Sequence, residues 1–324
     1  TNTATLTIKA KSVVIQVKDL AVPYGDEAQY PDFIGNYDKL LSSELANGEQ
    51  FRITAVEYVQ NGVAVEKPTQ AGEYEIVLKT FEVYSQNGAL LDGGANNYSV
   101  TDVNGTLTIS AMVIVITTGT AQKEYDGNPL YCTDYTLSGA TLAEGYTLEV
   151  DEKYSVTKAT AAGGEDNLTT FKVMYGGEVS ENYIISYAAN CGKLIITKRE
   201  ITIATDSATK DYDGSALTAG YTATYTGAGT FTQAFADGDI MTVTEDTEIT
   251  DAGNTLNEIK YTIVGADGKD AKNNYAITYT RGTLKINPLA VTVTLKGGLE
   301  VVYGEIIENI FTLSCGELPN GEEL

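Results

Sequence analysis

Residues 273–287, NNYAITYTRGTLKIN, decide the fold, because nearly the same phrase occurs twice more in the chain. Residues 96–110 read NNYSVTDVNGTLTIS, and residues 181–197 read ENYIISYAANCGKLIIT, with two extra residues inside the phrase. Residues 1–10, TNTATLTIKA, match its last part. A phrase that returns at long intervals along a chain indicates a repeated domain.

Two sets of marks recur at nearly constant spacing. The closing phrase G-x-L-x-I, or G-x-L-I-I, begins at Gly105, Gly192 and Gly282, at intervals of 87 and 90 residues. A tyrosine followed by Gly or Asp-Gly comes 16 or 17 residues after each closing Ile, in PYGD, EYDG, DYDG and VYGE. The corresponding pairs are Tyr24 and Gly25, Tyr125 and Gly127, Tyr212 and Gly214, and Tyr303 and Gly304.

Each repeat begins with a segment rich in β-branched residues that alternates with period two, which favours a strand. These segments are KSVVIQVKD, AMVIVITTG, REITIATDS and PLAVTVTLK. The domain boundaries predicted from them are 1–10 (last strand of a preceding repeat), 11–110, 111–198, 199–287 and 288–324 (truncated start of a further repeat). The joints contain no flexible linker, so a semi-rigid rod of domains end to end is expected.

The local signals are mostly those of β structure. Asn61-Gly62 and Asn87-Gly88 each predict a two-residue hairpin, because a type I′ turn needs positive φ at both central positions. A helix is predicted only at 37–47, where Leu40, Leu41 and Leu45 can share a face. The fold class expected is therefore mostly β.

Composition excludes several classes of function. With 21 Lys+Arg against 44 Asp+Glu, the chain has a net charge of −23, which disfavours nucleic acid and anionic membranes as partners. The longest apolar run, AMVIVI, is far too short for a membrane span, and no targeting segment is recognisable. The chain has no His, so the usual general base and zinc ligand are missing. We expect no catalytic residues, no cofactor and no metal site.

Repetition of the same residues in every unit favours a folding role for them. A tyrosine preceded by Asn opens each closing phrase, at Tyr98, Tyr183 and Tyr275. We expect its ring to fill the core and its hydroxyl to bond a backbone group, with the Asn in a left-handed turn. The alternative is a platform that stacks on sugar rings. The glycines that follow Tyr24, Tyr125, Tyr212 and Tyr303 are expected at positions of positive φ or close approach.

These residues resemble a known family. Y-D-G followed by N-Y-x-I-x-Y and G-x-L-x-I is similar to the YDG-type repeats of bacterial surface proteins, at 111–198 and 199–287. P-Y-G-D with a later A-G-x-Y and G-T-L-T-I resembles the related YGX-type "mostly β-grasp" (MBG) repeats, at 11–110, and 288–324 resembles the start of one. The resemblance implies tandem β-grasp-like domains of large adhesins and cell-wall proteins, with no catalytic residues.

Three further hypotheses concern covalent bonds and metal. Cys132 and Cys191 both belong to 111–198 and have no counterparts in the neighbouring repeats, so a disulfide between them is one hypothesis and two buried thiols the other. Cys315 lies in the incomplete unit. Acidic clusters at 236–239, 245–246 and 267–270 offer oxygen atoms to calcium but lack the twelve-residue loop. A Lys–Asn isopeptide bond is a third alternative, although no pair is singled out by spacing.

The function expected from the sequence is that of a non-catalytic stalk or adhesive repeat region on a bacterial cell surface or cell wall. The alternative is a module that binds glycans or mucin directly. Host or environmental glycans or proteins would then be the partners, and no membrane insertion is expected.

Overall fold

The structure, a computed structural model, describes residues 4–25, 40–42, 45–295, 297–298, 300–306, 311–313 and 318–322, and only the backbone within 40–42 and 311–313. These residues form β-strands and short 3-10 turns, and the part of the chain they cover contains no α-helix. The expectation of a mostly β protein is therefore confirmed. No described helix is long and apolar enough to cross a membrane.

The described part of repeat 1, residues 11–110, contains eight strands and two 3-10 turns. The strands are β1 (Lys11–Gln16), β2 (Leu20–Pro23), β3 (Leu40–Ser42), β4 (Gln50–Gln60), β5 (Val63–Val65), β6 (Gly72–Tyr84), β7 (Tyr98–Val103) and β8 (Gly105–Ser110). The 3-10 turns are Ala46–Gly48 and Gly94–Asn97. The sheet orders are β3-β1-β7 and β2-β8-β6-β4-β5.

Repeat 2, residues 111–198, contains nine strands. They are β9 (Met112–Thr118), β10 (Ala121–Glu124), β11 (Tyr135–Gly139), β12 (Tyr146–Val150), β13 (Glu165–Asp166), β14 (Phe171–Tyr175), β15 (Glu178–Val179), β16 (Tyr183–Tyr187) and β17 (Lys193–Thr197). The sheet orders are β11-β9-β16, β10-β17-β13 and β12-β14-β15.

Repeat 3, residues 199–287, has the strands β18 (Arg199–Thr205), β19 (Ala208–Asp211), β20 (Tyr221–Tyr225), β21 (Ile240–Asp246), β22 (Gly253–Asn257), β23 (Ile259–Val264), β24 (Tyr275–Thr280) and β25 (Gly282–Asn287), with a 3-10 turn at Lys272–Asn274. Its sheet orders are β20-β18-β24, β19-β25-β22 and β21-β23. The remaining segment pairs β26 (Val293–Leu295) with β27 (Phe311–Leu313) and has a 3-10 turn at Pro319–Gly321.

One pairing pattern recurs in all three repeats and explains the repeated phrase. The opening strand runs parallel to the first strand of the closing phrase: β1 with β7, β9 with β16, and β18 with β24. The second strand runs parallel to the last strand: β2 with β8, β10 with β17, and β19 with β25. Parallel neighbours need a long crossover between them, which is why the phrase must return at the far end of each repeat.

The alternating apolar residues of these strands are buried, as period two requires. Ile15, Ile114 and Ile201 on the opening strands are at most 1% exposed. The closing G-x-L-x-I strands bury both apolar residues, and Leu107, Leu194 and Leu284 are completely inaccessible. Each fully buried Leu or Ile stabilises the fold by about 1.5–3 kcal/mol, so these strands carry much of the core.

The closing glycine is required because its backbone passes close to another backbone segment. A Cβ built on Gly105 would lie 2.6 Å from the carbonyl oxygen of Lys18, and one on Gly282 would lie 2.2 Å from that of Asp206. Gly192 at the matching position is buried and accepts a hydrogen bond from the Asn167 N–H at 2.8 Å. At Gly105 and Gly282 any larger residue would collide with the turn that follows the opening strand.

Repeat 1 contains one long strand, β6, where the other two repeats have two shorter ones. Strand β6 pairs with β8 at one end and with β4 along the rest of its length. In repeats 2 and 3 two shorter strands take its place, and a buried Asn stands near the break, at Asn167 and Asn257. The Asn167 Nδ2 donates to the carbonyl oxygens of Gly119 and Cys132, and the Asn257 Nδ2 donates to that of Asp206.

The predicted helix at 37–47 is wrong where the structure describes it. Leu40–Ser42 form strand β3, which pairs antiparallel with β1, and Ala46–Gly48 form a single 3-10 turn. Residues 37–39 and 43–44 lie outside the described residues. The apolar spacing that predicted a helix is overridden by pairing with a neighbouring strand, a tertiary effect that local propensity does not contain.

The two hairpin predictions have different outcomes. Asn61 (φ 52°) and Gly62 (φ 79°) both have positive φ and connect β4 to β5, so the two-residue turn is confirmed. At the second site only Gly88 has positive φ (80°), and the Ser85 N–H bonds to the carbonyl oxygen of Ala89. The second turn is therefore a longer loop than the type I′ turn expected.

The chain forms two compact units. Unit 1 comprises Thr1–Thr118, Thr133–Lys153 and Thr169–Cys191, and unit 2 comprises Gly119–Cys132, Tyr154–Leu168 and Gly192–Leu324. Segments of repeat 2 belong to both units. Repeats 1 and 2 therefore meet inside unit 1, and repeats 2 and 3 meet inside unit 2. The domain boundaries inferred from the sequence stay predictions.

Candidate functional site

A four-residue turn with the pattern A-x-G-x stands directly before one strand of each repeat, β4, β12 or β21. The three copies are ANGE at 46–49, AEGY at 143–146 and ADGD at 236–239, and PNGE at 319–322 has the same geometry. In each, the N–H of the fourth residue bonds to the carbonyl oxygen of the first, at 2.9–3.2 Å. The Gly has positive φ in all four: Gly48, Gly145, Gly238 and Gly321. We name these segments the acceptor turns.

Each acceptor turn binds the tyrosine that opens the closing phrase of its own repeat, here named the entrance tyrosine. The entrance tyrosines Tyr98, Tyr183 and Tyr275 are buried. Their hydroxyls accept the N–H of the first residue of the turn, Ala46, Ala143 or Ala236, at 2.9 Å in every case. A buried phenol thus finds the backbone partner that it requires.

The fourth residue of the turn completes the contact. The Tyr98 hydroxyl donates to Glu49 Oε2 at 2.6 Å, and the Tyr275 hydroxyl donates to Asp239 Oδ2 at 2.6 Å. In repeat 2 the fourth residue is Tyr146, whose ring meets that of Tyr183 at 69° and 5.1 Å. A carboxylate or a phenol therefore faces outward from the turn, beside the entrance tyrosine.

A tyrosine from the preceding repeat binds this same residue. The Tyr-Gly and Tyr-Asp-Gly turns, here named tips, supply it. The Tyr24 and Tyr146 hydroxyls lie 2.8 Å apart in unit 1, and in unit 2 the Tyr125 hydroxyl donates to Asp239 Oδ2 at 3.1 Å. The third tip tyrosine, Tyr212, donates to the Glu322 carboxylate. The same tip-to-turn contact thus occurs three times among the described residues.

The rings of the tip and entrance tyrosines also pack on each other. Tyr24 meets Tyr183 with ring centroids 5.6 Å apart at 70°, and Tyr125 meets Tyr275 at 5.6 Å and 82°. Edge-to-face pairs of this kind contribute about 0.5–1.5 kcal/mol beyond the area they bury. The repeated tyrosines of consecutive repeats are therefore partners of one another.

The Asn before each entrance tyrosine joins the same contact, and its predicted role is wrong. Neither Asn182 nor Asn274 has positive φ, and Asn97 does not either, so the left-handed conformation expected from the sequence is not adopted. Instead the Asn182 Oδ1 accepts the Ala71 N–H of repeat 1 at 2.6 Å, and the Asn274 Oδ1 accepts the Ala159 N–H of repeat 2 at 3.0 Å. A short amide can satisfy a backbone donor of the neighbouring repeat, which is what this position requires.

The two Tyr-Asp-Gly tips hold their shape through a lysine two residues before the tyrosine. Lys123 Nζ donates to Asp126 Oδ1 at 2.6 Å and to the Asn128 carbonyl oxygen at 2.7 Å. Lys210 Nζ makes the matching contact to Asp213 Oδ1, also at 2.6 Å. Gly25, Gly127, Gly214 and Gly304 all have positive φ, which lets the turn close. The Asp of the Tyr-Asp-Gly motif therefore shapes the turn.

Burial and charge change the acidity of these groups. Burial, followed by the charge of Asp239, raises the pKa of Tyr125 to about 12, and burial together with the hydrogen bond to Asp239 raises that of Tyr275 further. The hydrogen bond from Lys210 lowers the pKa of Asp213. Burial opposes ionisation of Asp126, but Lys123 and the Asn128 N–H outweigh it, and its pKa is lowered. Tyr125 and Tyr275 thus remain neutral, and Asp126 and Asp213 remain charged, at neutral pH.

A buried arginine ties repeat 3 to repeat 2 inside unit 2. Arg199 is 3% exposed and donates to the carbonyl oxygens of Ala234 at 2.9 Å, Gln233 at 2.6 Å and Tyr125 at 3.4 Å. Its guanidinium carbon lies 3.8 Å from the ring centroid of Phe231. Three carbonyl oxygens and a ring face replace the water that the buried cation has lost.

The second tyrosine of N-Y-x-I-x-Y has a structural partner as well. The Tyr187 hydroxyl accepts the Phe171 N–H at 2.9 Å, and the Tyr279 hydroxyl accepts the Ile259 N–H at 2.9 Å. Both receive the first N–H of the strand that follows the buried Asn. Repeats 2 and 3 therefore use this tyrosine in the same way.

Two of the three acidic clusters, those at 236–239 and 267–270, line one cleft. A cleft of about 180 Å³ beside the Tyr125 contact is lined by Asp237, Asp239, Asp267 and Asp270, together with Lys158. Asp239 binds two tyrosine hydroxyls, and Lys158 lies 3.6 Å from Asp267. Within the described ranges, no group of three or more His, Cys, Asp or Glu residues is arranged to hold a metal ion.

The remaining predicted positions have separate places in the fold. Tyr303 is fully exposed, in a turn that is closed by a hydrogen bond from the Glu305 N–H to the Val302 carbonyl oxygen. Cys132 is buried and Cys191 is half-buried, and the disulfide stays a prediction. Cys315 lies outside the described residues.

Sequence reasoning identified the tyrosines but missed the acceptor turns and the tip lysines. A signal for both was present. A-x-G-x occurs at a similar place in every repeat, and Lys precedes the tyrosine by two positions in both Tyr-Asp-Gly tips. Aligning the repeats with one another beyond the tyrosines would have found them.

Comparison with known proteins adds little to this description. No family model and no curated protein matches the sequence. A crystal structure of the I9–I11 tandem from titin has 11% identity and a TM-score of 0.20, covering 85% of this chain and 98% of that chain. A crystal structure of Drosophila N-cadherin EC1–4 has 12% identity and a TM-score of 0.19, covering 86% of this chain and 73% of that chain. Scores this low assign neither fold nor function.

Proposed function

We propose that this chain is a non-catalytic stalk or adhesive repeat region of a large bacterial surface protein, built from tandem β-grasp-like domains. The observation that carries the proposal is the contact between a tip and the next acceptor turn, which recurs from Tyr24 to Tyr146, from Tyr125 to Asp239 and from Tyr212 to Glu322. The most repeated residues of the chain are used to join neighbours, which is what an array needs.

Firm contacts between neighbouring repeats support this proposal, because a stalk keeps its two ends at a fixed distance only when its joints resist bending. A flexible linker between domains lets the ends approach each other, whereas a joint made of packed rings and buried hydrogen bonds holds its neighbours in one arrangement. Asn182 and Asn274 are only 2% and 4% exposed and accept hydrogen bonds from the preceding repeat. Breaking such a joint would leave buried polar groups without partners.

A location outside the cell and a role without catalysis belong to the same proposal. The net charge of −23 keeps a long protein dispersed in water and away from nucleic acid. The absence of His from the sequence removes the residue most often used for proton transfer near neutral pH. Both features are compatible with a surface spacer of a bacterium.

Direct binding of glycans or mucin is the second candidate. Tyr135 and Tyr187 of unit 1 are 39% and 41% exposed and both contact Phe171, so they present aromatic surface to the solvent. The equivalent residues of repeat 3 are Tyr221 and Tyr279. Recurrence of the arrangement in both repeats favours a folding role over a sugar platform.

Small-angle X-ray scattering of the chain tests the stalk. We expect an elongated particle of narrow size distribution, and we expect a variant carrying both Asp239→Ala and Asn274→Ala to become measurably more flexible. A wild-type chain that scatters as a flexible polymer or as a sphere would contradict the proposal.

A glycan array that includes mucin and matrix proteins separates the two candidate functions. Saturable binding that is lost in Tyr187→Ala would favour the second candidate, direct binding of glycans or mucin.

A further inference from the structure

A groove of about 460 Å³ lies between repeats 1 and 2, wholly inside unit 1. Residues of two tight hairpins line it, and these hairpins turn at Asn61-Gly62 in repeat 1 and at Gly176-Gly177 in repeat 2. All four turn residues have positive φ, and such turns hold their flanking strands in a fixed register. The groove has the size of a small-molecule site, about 300–1,000 Å³. We name it the Tyr175 groove.

Tyr175 gives this groove an aromatic surface. It is 51% exposed and lies opposite Tyr146, with ring centroids 4.5 Å apart and planes at 27°. Tyr146 is itself held by the Tyr24 hydroxyl at 2.8 Å and by the edge-on ring of Tyr183. One face of the Tyr175 ring therefore rests on a packed neighbour, and the remainder of the ring is open to the groove.

Tyr175 is not one of the repeated tyrosines. It lies opposite Tyr146, the fourth residue of the acceptor turn in repeat 2. Continuing the strand pairing by one residue places Ser85 of repeat 1 and Gly265 of repeat 3 at the matching position. Because the other two repeats fold without an aromatic ring there, the folding role argued for the repeated tyrosines does not extend to Tyr175.

The floor of the groove is held in one arrangement by Asn182, which is 2% exposed. Its Nδ2 donates to Gln70 Oε1 at 2.6 Å and to the Tyr146 hydroxyl at 2.8 Å. Its Oδ1 accepts the Ala71 N–H at 2.6 Å. A floor with satisfied hydrogen bonds needs no rearrangement when a ligand binds, which lowers the cost of binding.

The rim of the groove carries polar groups that the protein does not use. The side chains of Asn61, Glu178 and Glu181 line the groove and make no hydrogen bond or ion pair to a described residue. The same holds for the hydroxyl of Tyr175. The amide offers two donors and an acceptor, and each carboxylate offers acceptors only. Donors and acceptors for a hydroxylated ligand thus surround an exposed ring.

The charge of the groove restricts what it can bind. Its lining contains two carboxylates and no Lys or Arg, and the chain as a whole has a net charge of −23. Nucleotides stack on tyrosine rings, but their phosphates need cations that this groove lacks. Sialylated and sulfated sugars are repelled for the same reason.

We propose that the Tyr175 groove binds a neutral oligosaccharide, with one pyranose ring stacked on Tyr175 and its hydroxyls bonded to Asn61, Glu178 and Glu181. A pyranose with equatorial substituents has faces made of C–H groups and a rim of hydroxyls, which matches an aromatic ring with polar groups around it. The proposal rests on the second candidate function, direct glycan binding, and gives that function a place and a class of ligand.

Saturation-transfer NMR of the full chain tests the proposal with four probes. The neutral probes are the β-1,4-linked tetramers of glucose and of N-acetylglucosamine, whose ring substituents are all equatorial. The charged probes are 3′-sialyllactose and a lysine tetrapeptide. We expect saturable binding of at least one neutral tetramer with a dissociation constant on the order of 1 mM, and strongest transfer to the C–H protons on one face of a ring. The sialylated probe should bind at least about tenfold more weakly.

Variants assign the binding to the groove. Tyr175→Ala should weaken it at least about tenfold, whereas Tyr175→Phe keeps the ring and should retain most of it. Asn61→Asp keeps a residue type that tolerates positive φ but loses the amide donors, and should weaken binding about fivefold. Tyr131→Ala is the matched control, because Tyr131 is also 51% exposed and lies outside the groove. Thermal unfolding confirms that each variant is folded.

The outcomes separate this proposal from the proposed function. Failure of both neutral tetramers to bind would overturn the groove assignment and leave the stalk, which X-ray scattering tests, unaffected. Binding lost in Tyr187→Ala and kept in Tyr175→Ala would retain direct glycan binding but remove it from this groove. Binding of the lysine tetrapeptide alone would overturn the proposal in favour of a cationic peptide.

Discussion

The ring of Tyr125 stands edge-on against the ring of Tyr275, with centroids 5.6 Å apart and an angle of 82° between the planes. Both hydroxyls donate to the same carboxylate oxygen, Oδ2 of Asp239, at 3.1 and 2.6 Å. The tyrosines belong to different repeats, and each carries one of the two tyrosine marks that define the repeat. A single carboxylate thus joins the tip of repeat 2 to the entrance of repeat 3.

The first prediction concerns that carboxylate. Asp239→Ala should reduce the free energy of unfolding by about 2–4 kcal/mol, because two phenols that are mostly buried lose their acceptor. Urea unfolding followed by circular dichroism measures the change. The control is Asp237→Ala, two positions earlier and exposed in the same turn, which should change stability by less than about 0.5 kcal/mol. Equal losses in the two variants would contradict the role given to Asp239.

The second prediction uses the repeats as controls for one another. Asn274→Ala removes the acceptor of the Ala159 N–H and should cost about 1–3 kcal/mol, because the side chain is 4% exposed and a backbone donor loses its partner. Asn97→Ala changes the same position of repeat 1, where the side chain is exposed, and should cost less than about 0.5 kcal/mol.

Thermal unfolding of the two Asn variants, with hydrogen exchange at Ala159, provides the measurement. Faster exchange at Ala159 in Asn274→Ala alone is the expected result. A similar loss of stability in both variants would mean that the Asn acts within its own repeat and does not join two of them.

The third prediction concerns the closing glycine. Gly282→Ala places a Cβ 2.2 Å from the Asp206 carbonyl oxygen, so the strand or the turn must move, and we expect a loss of about 3 kcal/mol or more. Gly297→Ala is the matched control, since its Cβ would meet no atom within 4 Å and its φ is not positive. Urea denaturation compares the two, and near-neutral behaviour of Gly282→Ala would show that close approach does not explain the glycine.

The fourth prediction is a loss of stability in alkali. The folded pKa of Tyr125 is about 12, above its ordinary value of 10.0, so the folded state holds a proton that the unfolded state has released between these values. The stabilisation is complete below pH 10 and disappears as the pH rises through about 12. The urea midpoint should therefore fall over this interval.

Tyr125→Phe identifies the residue responsible for the alkaline effect. This variant should be less stable at neutral pH and should show a shallower decline between pH 10 and 12, because one of the titrating phenols is gone. The ultraviolet absorbance of ionised tyrosine should show correspondingly less late titration. An unchanged slope would assign the alkaline transition to other tyrosines.

The sequence by itself determined the β class, the repeat, its tyrosine and glycine marks and the turn at Asn61-Gly62. These follow from properties carried by a few neighbouring residues: period-two alternation, β-branched side chains, and the small set of residues that accept positive φ. The nearly constant distance from closing Ile to tip tyrosine also predicted one strand between them, where the structure has two. None of this requires knowledge of what lies opposite a residue.

Tertiary structure alone decided which residues are partners. Residues 40–42 have the apolar spacing of a helix, yet they pair with β1, because a strand edge offers hydrogen bonds that local propensity does not contain. The Asn before each entrance tyrosine suggested a left-handed turn, whereas its amide in fact accepts an N–H from the preceding repeat. Buried polar atoms must find partners wherever the chain brings them, and sequence order does not record which segment of the neighbouring repeat supplies them.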